Sequence, residues 1–311
     1  MASTSTNFLA EKTVAALVED KPKVQPILSS WSVEAATTFL RGSNFLSAPV
    51  VDKSTGEYIG FIDVIDLMLY ACGISDAFMK CDQTVEQMKA LESRWAEKKV
   101  ADLIGLNDED ELLWSLSPET KLEKAVEVLH KGIHRLLVGD YVVTQTDLVR
   151  YLITAHTHNE IQLDSAQLSK KLSELETLGS SVKTVNASES ALSAFAKMGA
   201  DHLSALGVVN ADGKLVGNLS ASDIRGVTPD LYPCLLQDIT KFWQTVHTDK
   251  WSGLSKHQDL VTVTDDTTLD QLLKEFSATR LHHVYLVDND GKPKRAISLT
   301  DVIQLFCTQG C

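Results

Sequence analysis

Residues 280–306, RLHHVYLVDNDGKPKRAISLTDVIQLF, decide the fold. Two short apolar runs, His283 to Val287 and Arg295 to Ser298, flank Asp288 to Gly291, so the stretch reads as two strands joined by a tight turn. Asn289, Asp290 and Gly291 tolerate the positive φ that such a turn needs. Ser298 stands three residues before Asp301, with Val302, Ile303, Leu305 and Phe306 beyond. Its hydroxyl can cap a helix whose first turn brings the carboxylate near exposed amides, so a helix is expected to begin after Ser298.

Working outward, the same helix-start aspartate recurs as Asp66 in GFIDVIDLM, Asp147 in VVTQTDLVRYL and Asp223 in GNLSASDIRGV, at successive spacings of 81, 76 and 78 residues. Regular self-similarity of this kind marks repeated supersecondary units. Each aspartate follows two short strands, and each strand pair follows a helix with an apolar stripe. The stripes are Val33, Ala36 and Leu40; Leu122, Val126 and Leu129; Leu192, Phe195 and Met198; and Leu269, Leu272, Leu273 and Phe276. A short apolar strand opens each copy: Val24 to Leu28, Leu112 to Leu116, Val182 to Val185 and Leu260 to Val263. The unit is therefore β-α-β-β-α, about 50 to 60 residues, too small to be comfortable alone, and the copies are expected to pair. The second copy has the tightest hairpin, Gly139-Asp140.

The connecting segments Ser75 to Lys99 and His158 to Glu176 are polar and helix-favouring, whereas Asp230 to Leu254 is richer in aromatic residues and holds Pro233. The fold class expected is α+β, with four repeats in two modules. The boundary is placed near residue 160, giving 1–160 for repeats 1 and 2 and 161–311 for repeats 3 and 4. The tryptophan-containing insert 230–254 is open between docking on its own half and docking on a partner.

The 311 residues suffice for two cores without disulfides or metal. Five scattered cysteines form no C-x-x-C, which fits a reducing cytosol or nucleus. A formal net charge of −13 repels nucleic acid and anionic membranes, and no local basic patch counters it. No basic leader precedes an apolar core, and no apolar run approaches about 18 residues, so neither secretion nor membrane spanning is expected. His130 and His134 are four apart, but Gly132 intervenes and no third ligand has suitable spacing, so no metal site is expected. Neither a phosphate-binding glycine loop nor a nucleophile elbow occurs, and no catalytic residue is assigned.

The β-α-β-β-α unit with S/T-x-x-D at its last helix resembles the cystathionine-β-synthase (CBS) domain. Four in tandem, with IHRLLVGD, HLSALGVV, NLSASDIRG and HHVYLVD…ISLTDVI, resemble the gamma subunit of the AMP-activated or SNF1-type protein kinase. NLSASDIRG is similar to plant and algal members, and the resemblance covers about Val14 to Phe306. It implies CBS repeats paired into modules, two modules forming a disc within one chain or between two, and no required cofactor. It also implies AMP, ADP or ATP in clefts between repeats, kinase catalytic and scaffold subunits as partners, and a non-enzymatic, energy-sensing role. In that family the motif Asp holds the ribose hydroxyls, the Ser/Thr lies beside it, and His/Arg residues before the second strand reach phosphate.

Carried onto this chain, the second copy is the most complete, with His134, Arg135, Thr144 and Asp147. The fourth has His282, His283, Ser298 and Asp301, and the third has His202, Ser220 and Asp223, with Asp201 beside His202. In the first, Asp63 replaces the hydroxyl residue before Asp66, and Leu46 stands where a basic residue is expected. Adjacent carboxylates disfavour an anion, so this site is expected to be empty or structural. An ionised carboxylate can accept from both hydroxyls of a ribose diol, and arginine suits phosphate oxygens. Histidine is a conditional cation and should make phosphate contact pH-dependent. The same S/T-x-x-D is also a helix-capping pattern in proteins with no ligand, so a repeat scaffold that binds other proteins without nucleotide is the alternative.

Overall fold

The computed structural model describes residues 3–72, 97–105, 113–162, 164–227, 229–246, 260–279 and 281–307. The opening Arg280, the start of the strand expected from Leu112, most of the 75–99 connection and the end of the 230–254 insert lie outside the described residues.

The four copies are present as β-α-β-β-helix units. In the fourth, Thr262–Val263 precedes the helix Leu269–Ala278, the strands His283–Val287 and Pro293–Ser298, and the helix Leu299–Cys307. The others run Ile27–Leu28 to Cys72, Ser115–Leu116 to Thr157, and Thr184–Asn186 to Gly226. Within each copy the opening strand pairs parallel with the second strand, which pairs antiparallel with the third. The opening strands are shorter than the apolar runs that suggested them, because only two or three residues face a partner in the parallel ladder.

The last helix of repeat 3 departs from the others: Ala221–Gly226 is 3-10, not α. Gly226, with Pro229 three residues on, curtails it, since proline can start but not continue a helix. The fourth-repeat turn also differs from expectation. Of the three turn residues only Gly291 has positive φ, and the Asp288 carboxylate organises the rest by accepting from the amides of Asp290 (2.9 Å) and Lys292 (2.8 Å). Asn210 and Asp52 do the same in repeats 3 and 1.

The chain divides into two compact units, and they are not the contiguous halves 1–160 and 161–311. One comprises Met1–Val24, Trp114–Val182 and Val261–Cys311; the other comprises Gln25–Leu113 and Lys183–Leu260. Each unit takes one repeat from either side of residue 160, because the apolar stripes meet in that combination. Leu122, Val126 and Leu129 share a core with Leu272, Phe276 and Phe306 of repeat 4. Val33, Ala36 and Leu40 share one with Leu192, Phe195 and Met198 of repeat 3.

Consecutive repeats are nevertheless tied through the chain by an exchange of leader segments. The segment before repeat 1 bonds to repeat 2 (Val14 N–H to Thr120 O, 2.8 Å; Leu122 N–H to Lys12 O, 3.0 Å). The segment before repeat 2 bonds to repeat 1 (Val33 N–H to Lys98 O, 2.9 Å; Val100 N–H to Trp31 O, 3.0 Å). Repeats 3 and 4 exchange likewise, Leu269 N–H donating to Lys170 O and Ala191 N–H to Gln237 O, each 2.9 Å. At Leu122, Val33, Leu269 and Ala191 a leader carbonyl accepts from an amide at a helix start, where intrahelical partners are missing.

The aromatic insert docks on its own unit. Its helix Ile239–Val246 buries Ile239, Phe242, Trp243 and Val246, and Phe242 packs edge-on against Phe195 with centroids 5.5 Å apart. Trp243 lies so close to the third strand of repeat 3 that a Cβ at Gly217 would stand 2.4 Å from its ring.

Candidate functional site

In every repeat the strand pair delivers the cap residue opposite the first residue of the second strand. The pairs are Arg135 with Thr144, His283 with Ser298, Ala205 with Ser220 and Ser47 with Asp63. Directly opposed side chains in an antiparallel ladder are neighbours, so this register brings the strand-entry residue to the helix cap. One backbone bond repeats as well: the residue after the cap donates to the carbonyl of the residue before the strand. Gln145 reaches His134, Leu299 reaches His282, Ala221 reaches Ser204 and Val64 reaches Leu46, at 2.9 to 3.2 Å.

This register corrects the third site. The positions equivalent to His134-Arg135 are Ser204-Ala205, not Asp201-His202. His202 lies two residues before the strand entrance in a left-handed conformation (φ 51°), in the place that Asn44 (φ 54°) and Gly132 (φ 93°) take in repeats 1 and 2. The histidine nearest in sequence is therefore not the ladder neighbour of the Ser220 cap; Ala205 is.

At each helix start the aspartate accepts from the cap backbone. Asp147 Oδ2 accepts from Thr144 N–H (2.7 Å) and Thr144 Oγ1 (2.8 Å), and Asp301 Oδ2 accepts from Ser298 N–H (2.7 Å) and Ser298 Oγ (2.6 Å). Asp223 Oδ2 accepts from Ser220 N–H at 3.0 Å. In repeat 1 the buried Asp63 replaces the hydroxyl residue as the cap: its carboxylate accepts from Ile65 N–H (2.7 Å) and Asp66 N–H (2.9 Å), while Asp66 accepts from Asp63 N–H (2.8 Å). Helix amides thus hold the Asp63 carboxylate and the cap amide holds that of Asp66, an arrangement that suits anionic side chains at a helix N-terminus.

Repeats 2 and 4 share one unit, and their strand entrances sense one another. Burial and the charges of His134 and Arg135 push the His282 imidazole down to about 4. His282 is itself exposed to solvent, which tempers the effect of burial on its imidazole. Burial, with His282 beside it, also pushes His283 down to about 4, and its ring packs edge-on against Tyr285 at 5.1 Å. Both are therefore neutral near pH 7. The two caps are also linked: the buried Gln145 amide donates to Leu129 O (2.9 Å) and to Thr300 Oγ1 (2.8 Å), between Ser298 and Asp301.

Two residues that sequence reasoning passed over belong to these sites. Lys21 donates to Asp147 Oδ2 at 2.5 Å, a contact across 126 residues of chain that no local pattern signals. Arg225, two residues after Asp223, is buried and donates through Nη1 to Asn44 Oδ1 and Phe45 O, both at 3.2 Å. Burial holds its guanidinium below the usual value, with Asp223 partly offsetting this. Arg225→Met should lower stability by about 2 to 4 kcal/mol in urea unfolding, since it strands three acceptors, Ser222 O among them, and removes the cation beside Asp223; a loss under about 0.5 kcal/mol would contradict this.

Residues 174–229 and 255–307 match the family model described as the CBS domain. The chain is built of CBS repeats. Repeats 1 and 2 lie outside the matched residues and join the set through the same strand order, the same pairing of strand entrance with cap residue and the same backbone bond after the cap. The CBS chain is homologous to the Arabidopsis thaliana SNF1-related protein kinase regulatory subunit gamma-like PV42a, at 25% identity over 81% of this chain and 78% of that protein. It is also similar to Protein SDS23 of Phaeosphaeria nodorum, at 26% identity over 88% of this chain and 54% of that protein, so it spans about half of the latter. Among solved structures, the Methanocaldococcus jannaschii protein MJ1225, described as a candidate archaeal homolog of g-AMPK, has a TM-score of 0.73 at 14% identity and covers 94% of this CBS chain and 99% of that one. At that identity the likeness concerns the fold. Among the described residues no helix is long and apolar enough to cross a membrane.

Proposed function

We propose that this CBS-repeat chain is a non-enzymatic regulatory subunit that binds an adenine nucleotide, AMP, ADP or ATP, and transmits its occupancy to an SNF1-type kinase assembly. The observation that carries the reading is in repeats 2 and 4, where a hydroxyl–carboxylate pair lies across the ladder from a strand entrance bearing imidazole or guanidinium. Asp147 and Asp301 make their cap bonds through Oδ2, so a second carboxylate oxygen remains to accept from ribose. Homology to gamma-like subunits supports the kinase side, with catalytic and scaffold subunits as partners in the cytoplasm or nucleus. Sensing further requires the ligand to prefer one arrangement of the partnered protein, since equal affinity for both shifts nothing.

A second reading is favoured by one observation: every motif aspartate already caps its own helix. On that reading the motifs are structural, and the repeats scaffold other proteins, or a second copy of the chain, without nucleotide. Calorimetric titration with AMP, ADP, ATP and adenosine near neutral pH separates the two. A sensor binds in the micromolar range, about −8 kcal/mol, with affinity lost on Asp147→Ala and reduced about tenfold on Arg135→Ala. Absence of heat and of any melting shift at millimolar nucleotide leaves the scaffold. Copurification of a kinase catalytic chain tests the partner separately.

A further inference from the structure

We infer that Lys21 is a latch on the second repeat: its ammonium occupies the carboxylate that a ribose would use, and a ribose-bearing ligand must displace it to bind in full. The inference rests on the nucleotide reading above and names what controls access to that site.

Three donors converge on Asp147 Oδ2, the Thr144 amide, the Thr144 hydroxyl and Lys21 Nζ, the last at 2.5 Å. An sp² carboxylate oxygen has two lone pairs, which the two Thr144 donors already engage, so Lys21 is a third donor whose ammonium neutralises the carboxylate. A diol that approaches Oδ1 meets a carboxylate whose charge is already shared with an ammonium while Lys21 is in place. Asp301 has the same two cap bonds and, among the described residues, no ammonium or guanidinium partner. The latch belongs to repeat 2 and not to the motif in general.

The segment bearing Lys21 is held firmly on one side and lightly on the other. Upstream, Val14, Leu17 and Val18 are buried in the core of the same unit. Downstream, the backbone crosses the second-repeat hairpin, with Val24 N–H donating to Asp140 O (2.8 Å) and Lys23 Nζ pairing with Asp140 Oδ2 (2.8 Å). Both side chains of the Lys21–Asp147 pair are 27% exposed, so water can take over the ammonium when it leaves. Partly exposed pairs of this sort are weak enough for a ligand to break.

Linkage makes the device reciprocal: what Lys21 costs the ligand, the ligand costs the latch. Titrating adenosine, 2′-deoxyadenosine and AMP into the full chain and its Lys21→Met variant reads this directly. The variant should bind adenosine and AMP about fivefold or more tightly, and should prefer adenosine over the deoxynucleoside more strongly, because the carboxylate charge no longer shared with Lys21 strengthens Oδ1 as the acceptor of the diol. Lys21→Arg should stay near the parent. In the parent, AMP should accelerate hydrogen exchange at the amides of Lys21 and Val24, bonded to Val18 O and Asp140 O. Equal affinity in parent and Lys21→Met, or weaker binding in the variant, overturns the latch while leaving the nucleotide reading intact. Binding by neither protein overturns the nucleotide reading and the latch with it.

Discussion

Acidification from pH 7 to pH 4.5 is expected to destabilise this protein by on the order of 3 kcal/mol through two histidines alone. His282 and His283 are held down to about 4 in the folded chain, chiefly by burial. In the unfolded chain their imidazoles titrate near an ordinary value of about 6.5. Above that pH both states are neutral and nothing is lost. Between about 6.5 and 4 the unfolded chain binds protons that the folded chain refuses, so stability falls as pH falls and levels off only below the folded value. Two full shifts would amount to more, and the figure is reduced because His282 is open to solvent and His283 partly so. Urea unfolding at several pH values should show this slope in the parent and a flatter one in His282→Asn/His283→Gln; identical slopes would refute the assignment. The same pair predicts that a phosphate ligand, by favouring imidazolium, draws protons from solution on binding and binds more tightly at pH 6 than at pH 8.

Arg295→Ala is expected to cost about 3 kcal/mol or more. The guanidinium donates through Nη1 to Leu175 O (2.6 Å) and Leu178 O (2.8 Å) and through Nη2 to Leu172 O (2.7 Å), gathering three carbonyls of the leader that crosses from repeat 3 to repeat 4. That leader ends in Ser180–Ser181, which covers the edge of the fourth-repeat sheet by pairing with Arg295 and Ala296. Gly179 makes the approach feasible: its φ is 91°, and a Cβ there would stand 2.6 Å from Ala296 O. Charge-assisted bonds to carbonyls are worth roughly 1.5 to 3 kcal/mol each and are not additive around one group. Arg295→Lys should recover only part of the loss, since a single ammonium cannot span three acceptors in a fixed fork. Urea unfolding with an unchanged slope is the measurement, and a loss below about 1 kcal/mol would show that water replaces the guanidinium freely.

The repeat, its hairpins and its capped helices were legible because each is written in contacts of short range. Ser298 and Asp301 are three residues apart, and so are Thr144 and Asp147; a hydroxyl, a carboxylate and an apolar stripe at that spacing state a helix start without knowledge of the rest. The Gly139-Asp140 hairpin was equally local: Val138 pairs with Tyr141, and Gly139 has a φ of 56°. His202 shows where such reading stops. Its position relative to the strand depends on a ladder that no single stretch displays.

Local sequence specifies four β-α-β-β-helix units, the start of the last helix in each, and the aspartates at those starts, because short-range geometry and periodic burial suffice for all three. Tertiary structure alone decided that the compact units join repeat 1 to 3 and 2 to 4 while leaders are exchanged between 1 and 2 and between 3 and 4. It alone set Lys21 on Asp147, Arg225 on Asn44 and Phe45, and Arg295 on the leader carbonyls. The reason is physical: an apolar stripe specifies that it must be covered but not by which of several similar stripes, and a long cation can reach any acceptor that folding brings within a few ångströms.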